Sequence, residues 1–320
     1  MHKRIWSFVA TLLVILIAAG VWLNQNALFD MWRLRGYTPP AEVVKLADET
    51  TMTDSARRLF YVYRPALQDK TTFNSSCSNS EQTIVLGCYV QHQGIYLYNV
   101  ADPRLDGVIE VTAAHEMLHA AYDRLSDKEQ KRIDALTNQV AGSLTDERLI
   151  STIESYRSKD PSVVPNELHS ILATEVQDLP SELETYYSRY FTNRKASVEM
   201  ASKYKGAFTE REDQVKAIDE QLKSLKTRID VLNGTLESQQ ANLKTSYDDL
   251  QQKRKGNNIE EYNAAVPAYN QAVVAYNANV NKQKQLVSQY NSLVEQRNDL
   301  ATEENELIKA LDSRETIQSQ

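Results

Sequence analysis

His115-Glu116-Met117-Leu118-His119 is the stretch whose residue types and spacing can do chemistry. Two His four apart share one helix face, so both imidazoles can reach a single metal ion. Glu116 follows the first His directly. It falls outside the plane of those two ligands but within reach of a water on the metal. There it serves as general base while the metal acidifies the water. The chain holds five His, at 2, 92, 115, 119 and 169. Random placement of five would produce H-E-x-x-H in on the order of one chain in a few hundred. The neighbours Thr112, Ala113, Ala114, Met117, Leu118, Ala120 and Ala121 are uncharged, as a helix buried behind a cleft requires. A helix with two ordinary histidines leaves the charged Glu116 between them unexplained.

A catalytic zinc takes three protein ligands and keeps one position open. Tyr122 and Leu125 occupy the positions where a metzincin carries Gly and its third His, which excludes that branch. The stretch resembles instead the gluzincins, the thermolysin-like branch of the zincin metallopeptidases, over roughly 80–190. In that branch a Glu on a later helix, often after Asn and with a small residue three positions on, completes the ligand set. Asn166-Glu167-Leu168-His169-Ser170 matches this pattern, which makes Glu167 the implied ligand and Ser170 the small residue that lets two helices approach. The separation between His119 and Glu167 is longer than in thermolysin. Glu175 is the rival ligand: eight residues on, it shares a helix face with Glu167. Whichever Glu is not the ligand would hold a ligand His through its free ring N–H. His169 should point elsewhere. The resemblance also implies an edge strand above the metal to which substrate adds. GIYLYNV at 94–100 is the candidate, and it equally fits a core strand. Tyr186, Tyr187 and Tyr190 are candidates for an oxyanion donor, although such tyrosines more often pack.

Several elements must position these residues. A helix starts after Pro39-Pro40, and SARRLFYVYRPAL reads as helix or strand. TIVLGCYV and GIYLYNV, separated by Gln91-His92-Gln93-Gly94, read as a β-hairpin. The motif helix runs from about Val108 to Leu125. Helices follow over SDKEQKRIDALTNQV, TDERLISTIESYRS, NELHSILATEV and SELETYYSRYF, opened by Ser126, Thr145, Asn166 and Ser181 as caps.

Beyond residue 208 the chain turns Gln-, Asn-, Lys- and Glu-rich. Ile218, Leu222, Leu225, Ile229, Leu232, Leu236, Leu243 and Leu250 form one heptad seam. Tyr262, Val266, Tyr269, Val273, Tyr276, Val280, Val287, Tyr290 and Val294 form a second. Lys255-Gly256-Asn257-Asn258 lies between them, which describes an antiparallel coiled-coil hairpin. Pro267 should kink the second helix or delay its start.

At the N-terminus an uncharged run from Ile5 to Leu23 is long enough to cross a bilayer once. A cleaved signal peptide ending near Ala18-Ala19-Gly20 competes with a retained anchor. The anchor fits better, because the run continues past that site and Trp6 and Trp22 lie near its ends. His2, Lys3 and Arg4 keep the start cytoplasmic, so the remainder lies outside the cytoplasmic membrane. Cys77 and Cys88 then read as a disulfide, with two small core residues as the alternative. Lys and Arg number 36 against 43 Asp and Glu, net −7, which argues against a nucleic-acid partner.

The expected fold class is α+β. A transmembrane signal-anchor covers 1–24, a zincin-like metallopeptidase domain 25–200 and a coiled-coil helical hairpin 201–320. The expected function is that of a single-pass bacterial envelope protein, cleaving protein or peptide substrates with Zn2+ held by His115, His119 and Glu167, with Glu116 as base. The hairpin would bind a protein partner. The competing expectation is a catalytically inactive envelope scaffold that acts through its coiled coil.

Overall fold

The computed structural model describes residues 13–16, 18–21, 23–77 and 84–314. It divides into two units: Met1–Ala207 together with Leu307–Gln320, and Phe208–Glu306. Both are dominated by helix.

In the first unit α1 (Gln25–Leu34), α2 (Ala41–Glu49) and α3 (Asp54–Val62) precede the short strand β1 (Ala66–Gln68) and α4 (Lys70–Ser76). The strands β2 (Gly87–Val90) and β3 (Gly94–Tyr98) follow as an antiparallel hairpin. β1 pairs with β3 in parallel, so the sheet order is β1-β3-β2. Of the two readings open for 94–100 the core strand is the observed one: Gly94–Tyr98 is the central strand, with β2 at one edge and β1 at the other. The hairpin is also shorter than expected, because Ile84, Val85 and Leu86 lie outside the strand. His92 takes the left-handed conformation in the turn, at φ 61°.

α5 (Val108–Tyr122) carries the motif and is buried on nearly every side. Its alanines Ala113, Ala114, Ala120 and Ala121 let α2, α3 and the sheet approach closely, while Met117 and Leu118 fill the core. Burying each of those two is worth roughly 1.5–3 kcal/mol. The helix starts at Gly107, whose φ is +99° and whose added Cβ would stand 3.0 Å from Met200. α6 (Asp127–Ala141), α7 (Glu147–Lys159), α8 (Val164–Glu175) and α9 (Ser181–Tyr187) complete the unit, with α8 packed on α5, α6 and α7. Ser126 caps α6 through the Glu129 N–H, as its sequence implies. α7 is capped by Asp146 rather than Thr145. Asn166 lies inside α8, which begins two residues earlier with Pro165 in its first turn.

α10 (Lys195–Lys255) and α11 (Ile259–Leu311) are 61 and 53 residues long. Within the second unit they form an antiparallel pair around Leu225, Leu232, Leu236 and Leu286, with Tyr276, Val280, Tyr290 and Leu293 packed against them. The expected seam holds through Val280, shifts by one residue at 287, and keeps Tyr290 in place. Leu286 is buried to 4% exposure, whereas Val287 is 38% exposed. The polar pairs Gln283–Asn233 and Asn279–Gln239 cross the seam just before this shift. α11 begins at Ile259 and runs through Pro267, so its start is not delayed.

Much of the apolar run at 5–23 lies outside the described residues. Among the described residues no single helix is long and apolar enough to cross a membrane. One bent pair passes on length and composition together: Leu13–Val21 with Gln25–Leu34, at 64°.

Candidate metal centre

α5 and α8 bring three predicted residues to one point. His115 Nε2 lies 3.5 Å from Glu167 Oε2, and His119 Nε2 lies 3.6 Å from Glu167 Oε1. These spacings are long for hydrogen bonds. They match the edge of a tetrahedron around an ion with ligand bonds near 2.1 Å, about 3.4 Å. Glu167 Oε2 is buried without a hydrogen-bond partner. A buried carboxylate oxygen left in this state is what a divalent cation satisfies.

Glu116 is also close, for ligand atoms of His115, Glu116 and His119 all lie within 4.8 Å of one another. Electrostatics separate the two glutamates. Burial pushes the Glu116 carboxyl up to about 7, and Glu167 adds to the rise while His119 and the Tyr89 backbone oppose it. Burial would raise Glu167 as well. There the contact with His115, the charges of His119 and His115 and the Tyr156 hydroxyl outweigh it and hold the carboxyl below its usual range. Glu167 is therefore the more readily ionised carboxyl of the pair, and Glu116 the one held near neutral.

The side chain that orients His119 is Asn166. Its Oδ1 sits 2.9 Å from His119 Nδ1, with Ser170 Oγ at 3.3 Å from the same nitrogen. An acceptor there places the proton on Nδ1 and leaves the Nε2 lone pair for a metal. Sequence reasoning took Asn166 for a helix cap, a role its residue type favours; the matching signal was its place beside Glu167. Glu175 does not reach the imidazoles. Its carboxylate accepts from Arg148 Nη2 and Lys205 Nζ, both at 2.5 Å. His169 is fully buried, pushed down to about 3 by burial, and paired through Nε2 with the Tyr186 hydroxyl at 2.9 Å. Tyr187 donates to the His169 carbonyl, so Tyr186 and Tyr187 hold α9 on α8 rather than facing the site. Tyr156, which the sequence reading passed over, is the tyrosine that contacts Glu167 and lines the cavity.

The cavity, about 580 Å³, is bounded by β2 on one side and α5, α7 and α8 on the other. Cys77 and Cys88 are bridged, with Cα atoms 6.0 Å apart, tying the end of α4 to the edge strand. Gly87 lies directly over the motif: an added Cβ would fall 2.5 Å from Thr112 Cγ2 and 2.8 Å from Glu116 Cγ. Arg194 fixes the far end of α8. Buried to 4% exposure, it donates to the carbonyls of Ala173, Val176 and Gln177 and pairs with Glu184. These are carbonyls a helix end leaves without partners.

No family model, curated protein or solved structure matches the chain. What the molecule itself defines is a mostly helical protein with a small three-stranded sheet, an H-E-x-x-H cluster able to hold a metal, one disulfide and two long C-terminal helices.

Proposed function

We propose that the chain is a membrane-anchored, zinc-dependent peptidase acting outside the cytoplasm. The observation that carries this reading is the convergence of both imidazole Nε2 atoms on the two oxygens of Glu167, beside a buried Glu116 carboxyl pushed up to about 7. Two imidazoles and a carboxylate are a donor set suited to zinc, which when bound supplies a Lewis acid that polarises a carbonyl and acidifies water. Glu116 removes a proton from the attacking water and holds it on its carboxyl. It then passes that proton to the nitrogen of the departing amine. Asn166 keeps the His119 ring fixed through both steps. The edge strand β2 offers its outer backbone to an extended peptide, and Gly87 keeps that strand close to Glu116. The disulfide supports a compartment that is oxidising.

The test is metal content together with cleavage of an unfolded protein such as casein. Wild type should carry about one zinc and His119→Ala about none. Glu116→Gln should keep zinc and lose turnover. Full zinc content in wild type with no cleavage of any peptide would favour the scaffold reading instead.

A further inference from the structure

Among the described residues nothing covers an apolar stripe on helix α1. Leu28, Met31 and Trp32 fall on one face at i, i+3 and i+4 and are 41%, 63% and 67% exposed. Elsewhere among the described residues of this unit the exposed large apolar side chains outside the N-terminal run are single ones: Ile84, Ile150, Val163 and Ile308, at 36–42%. A tryptophan and a methionine two-thirds exposed on adjacent positions of a helix this short are not scattered surface residues.

The stripe is held rigidly outward by the opposite face. Asp30, the one acid of the helix, turns inward and accepts from Arg124 at 2.7 and 3.0 Å. Arg33 donates to the carbonyls of Val62 and Gln93, and Arg64 returns to the Arg33 carbonyl. Phe29 packs against Tyr63 and, edge to face, against His92. Four tethers on a ten-residue helix leave its outer face uncharged except for Arg35, which is exposed at its end. Further exposed apolar side chains precede α1, Val21 at 52% and Leu23 at 73%, separated from the stripe by Asn24, Gln25 and Asn26. The 64° bend between Leu13–Val21 and α1 inclines α1 away from the direction of that segment. A segment entering a bilayer near its normal would therefore leave α1 closer to the membrane plane than to the normal.

We propose that the Leu28-Met31-Trp32 face of α1 docks on the surface of a lipid bilayer, with its apolar side chains at the level of the headgroups and Arg35 against anionic lipid. Amphipathic side chains such as tryptophan settle at this depth, and a basic residue adds attraction to anionic lipid. The docked helix faces one end of the candidate cleft. Arg33 and Phe29 contact the β2–β3 turn at Gln93 and His92, beside Val90, which lines the cavity. Arg124, the partner of Asp30, lies five residues after His119. Its neighbour Tyr63 contacts the Tyr89 hydroxyl of the edge strand at 3.2 Å. The class of substrate that follows is a polypeptide tethered to the same membrane, offered to β2 from its Val90 end; this consequence rests on the peptidase reading, whereas the docking does not.

The docking is tested on the full chain in vesicles of phosphatidylethanolamine and phosphatidylglycerol. A Trp6→Phe, Trp22→Phe background leaves Trp32 as the only tryptophan. Lipids brominated at shallow acyl positions should quench Trp32 strongly and deep-brominated lipids weakly. Trp32 emission open to aqueous iodide and untouched by either lipid would overturn the proposal. In the second arm one peptide is presented on a lipid anchor and free in solution. Met31→Asp with Trp32→Asp should lower cleavage of the anchored form by about tenfold and leave the free form unchanged, because only interfacial burial is lost. Equal loss for both forms would overturn the substrate consequence. Bromolipid quenching in a protein that cleaves neither form would uphold the docking and reject the peptidase reading.

Discussion

Replacing Asn166 with Ala removes the acceptor that orients His119 and should weaken zinc binding without unfolding the protein. The side chain is half-buried and touches the imidazole through one bond of 2.9 Å. Loss of such an outer partner costs about 10–100-fold in metal affinity, or about 1.4–2.7 kcal/mol. Ser170 Oγ at 3.3 Å remains as a weaker acceptor for the same N–H, which places the single variant at the lower end. The expected loss is about tenfold for Asn166→Ala and about a hundredfold once Ser170→Ala is added. Asn166→Asp keeps an acceptor, now charged, and should hold or tighten the ion. The assay is equilibrium competition for zinc against a chromophoric chelator, with the thermal midpoint as a control for folding. Equal zinc affinity in wild type and the double variant would refute the orienting role. Weakened binding in Asn166→Asp would show that the amide presents its NH2 to the ring, which would leave the proton on Nε2 and the ligand assignment wrong.

Three other substitutions probe the supports of the site. Gly87→Ala drives a methyl into Thr112 and Glu116, so peptide turnover should drop at least tenfold by a disturbed base while zinc content stays near one; unchanged turnover would show that the strand yields. Glu175 is held below the usual carboxylate range, against the opposing effect of burial, by Lys205 and Arg148. Its lowered folded value means its contribution is complete above the unfolded pKa and is lost as pH falls through the folded one. Glu175→Gln should therefore cost about 2 kcal/mol at neutral pH, and that difference should shrink as pH falls below the usual carboxylate range and through the lowered folded value; a pH-independent difference measured by denaturant melts would contradict the pairing. Replacing 212–302 with a short Gly-Ser loop should keep zinc bound, since Arg211 and Glu303 face each other at 2.9 Å and Leu307 and Ser313 stay in place. Truncation after Ala207 removes both, including the buried Ser313 that donates to Val85 beside the edge strand, and should lower the unfolding midpoint by several degrees.

The parts of the site that were legible in the sequence are those set by helical spacing. His115 and His119 converge because they stand one turn apart; Glu167, on the helix that packs across α5, was implied by the gluzincin resemblance of 166–170 rather than by spacing. The parts that were not legible depend on contacts distant in sequence. Either strand of the β2–β3 hairpin could have been the edge. The decision rests with β1, three residues that pair in parallel with β3 and are too short to show an alternating pattern. Asn166 read as a cap because Asn favours that role locally, whereas its partner lies 47 residues away. In the second unit a heptad count carried past Val280 put Val287 in the seam. The Gln283–Asn233 pair that precedes the shift to Leu286 takes its Asn from the opposite helix, where a one-helix count cannot see it.

The same division applies to what holds the walls of the centre in place. Two imidazoles and two carboxylates within one cavity carry a desolvation cost that the motif helix cannot offset, since its own surroundings are alanine, methionine and leucine. What steadies the elements around it comes from far away in the chain. Arg194 takes up the free carbonyls at the end of α8, Arg148 and Lys205 neutralise Glu175, and the Cys77–Cys88 bridge holds β2 in position. Each of these fixes a wall of the cavity without touching the imidazoles. Because none of these supports touches the imidazoles, removing them one at a time should lower turnover before it lowers metal content.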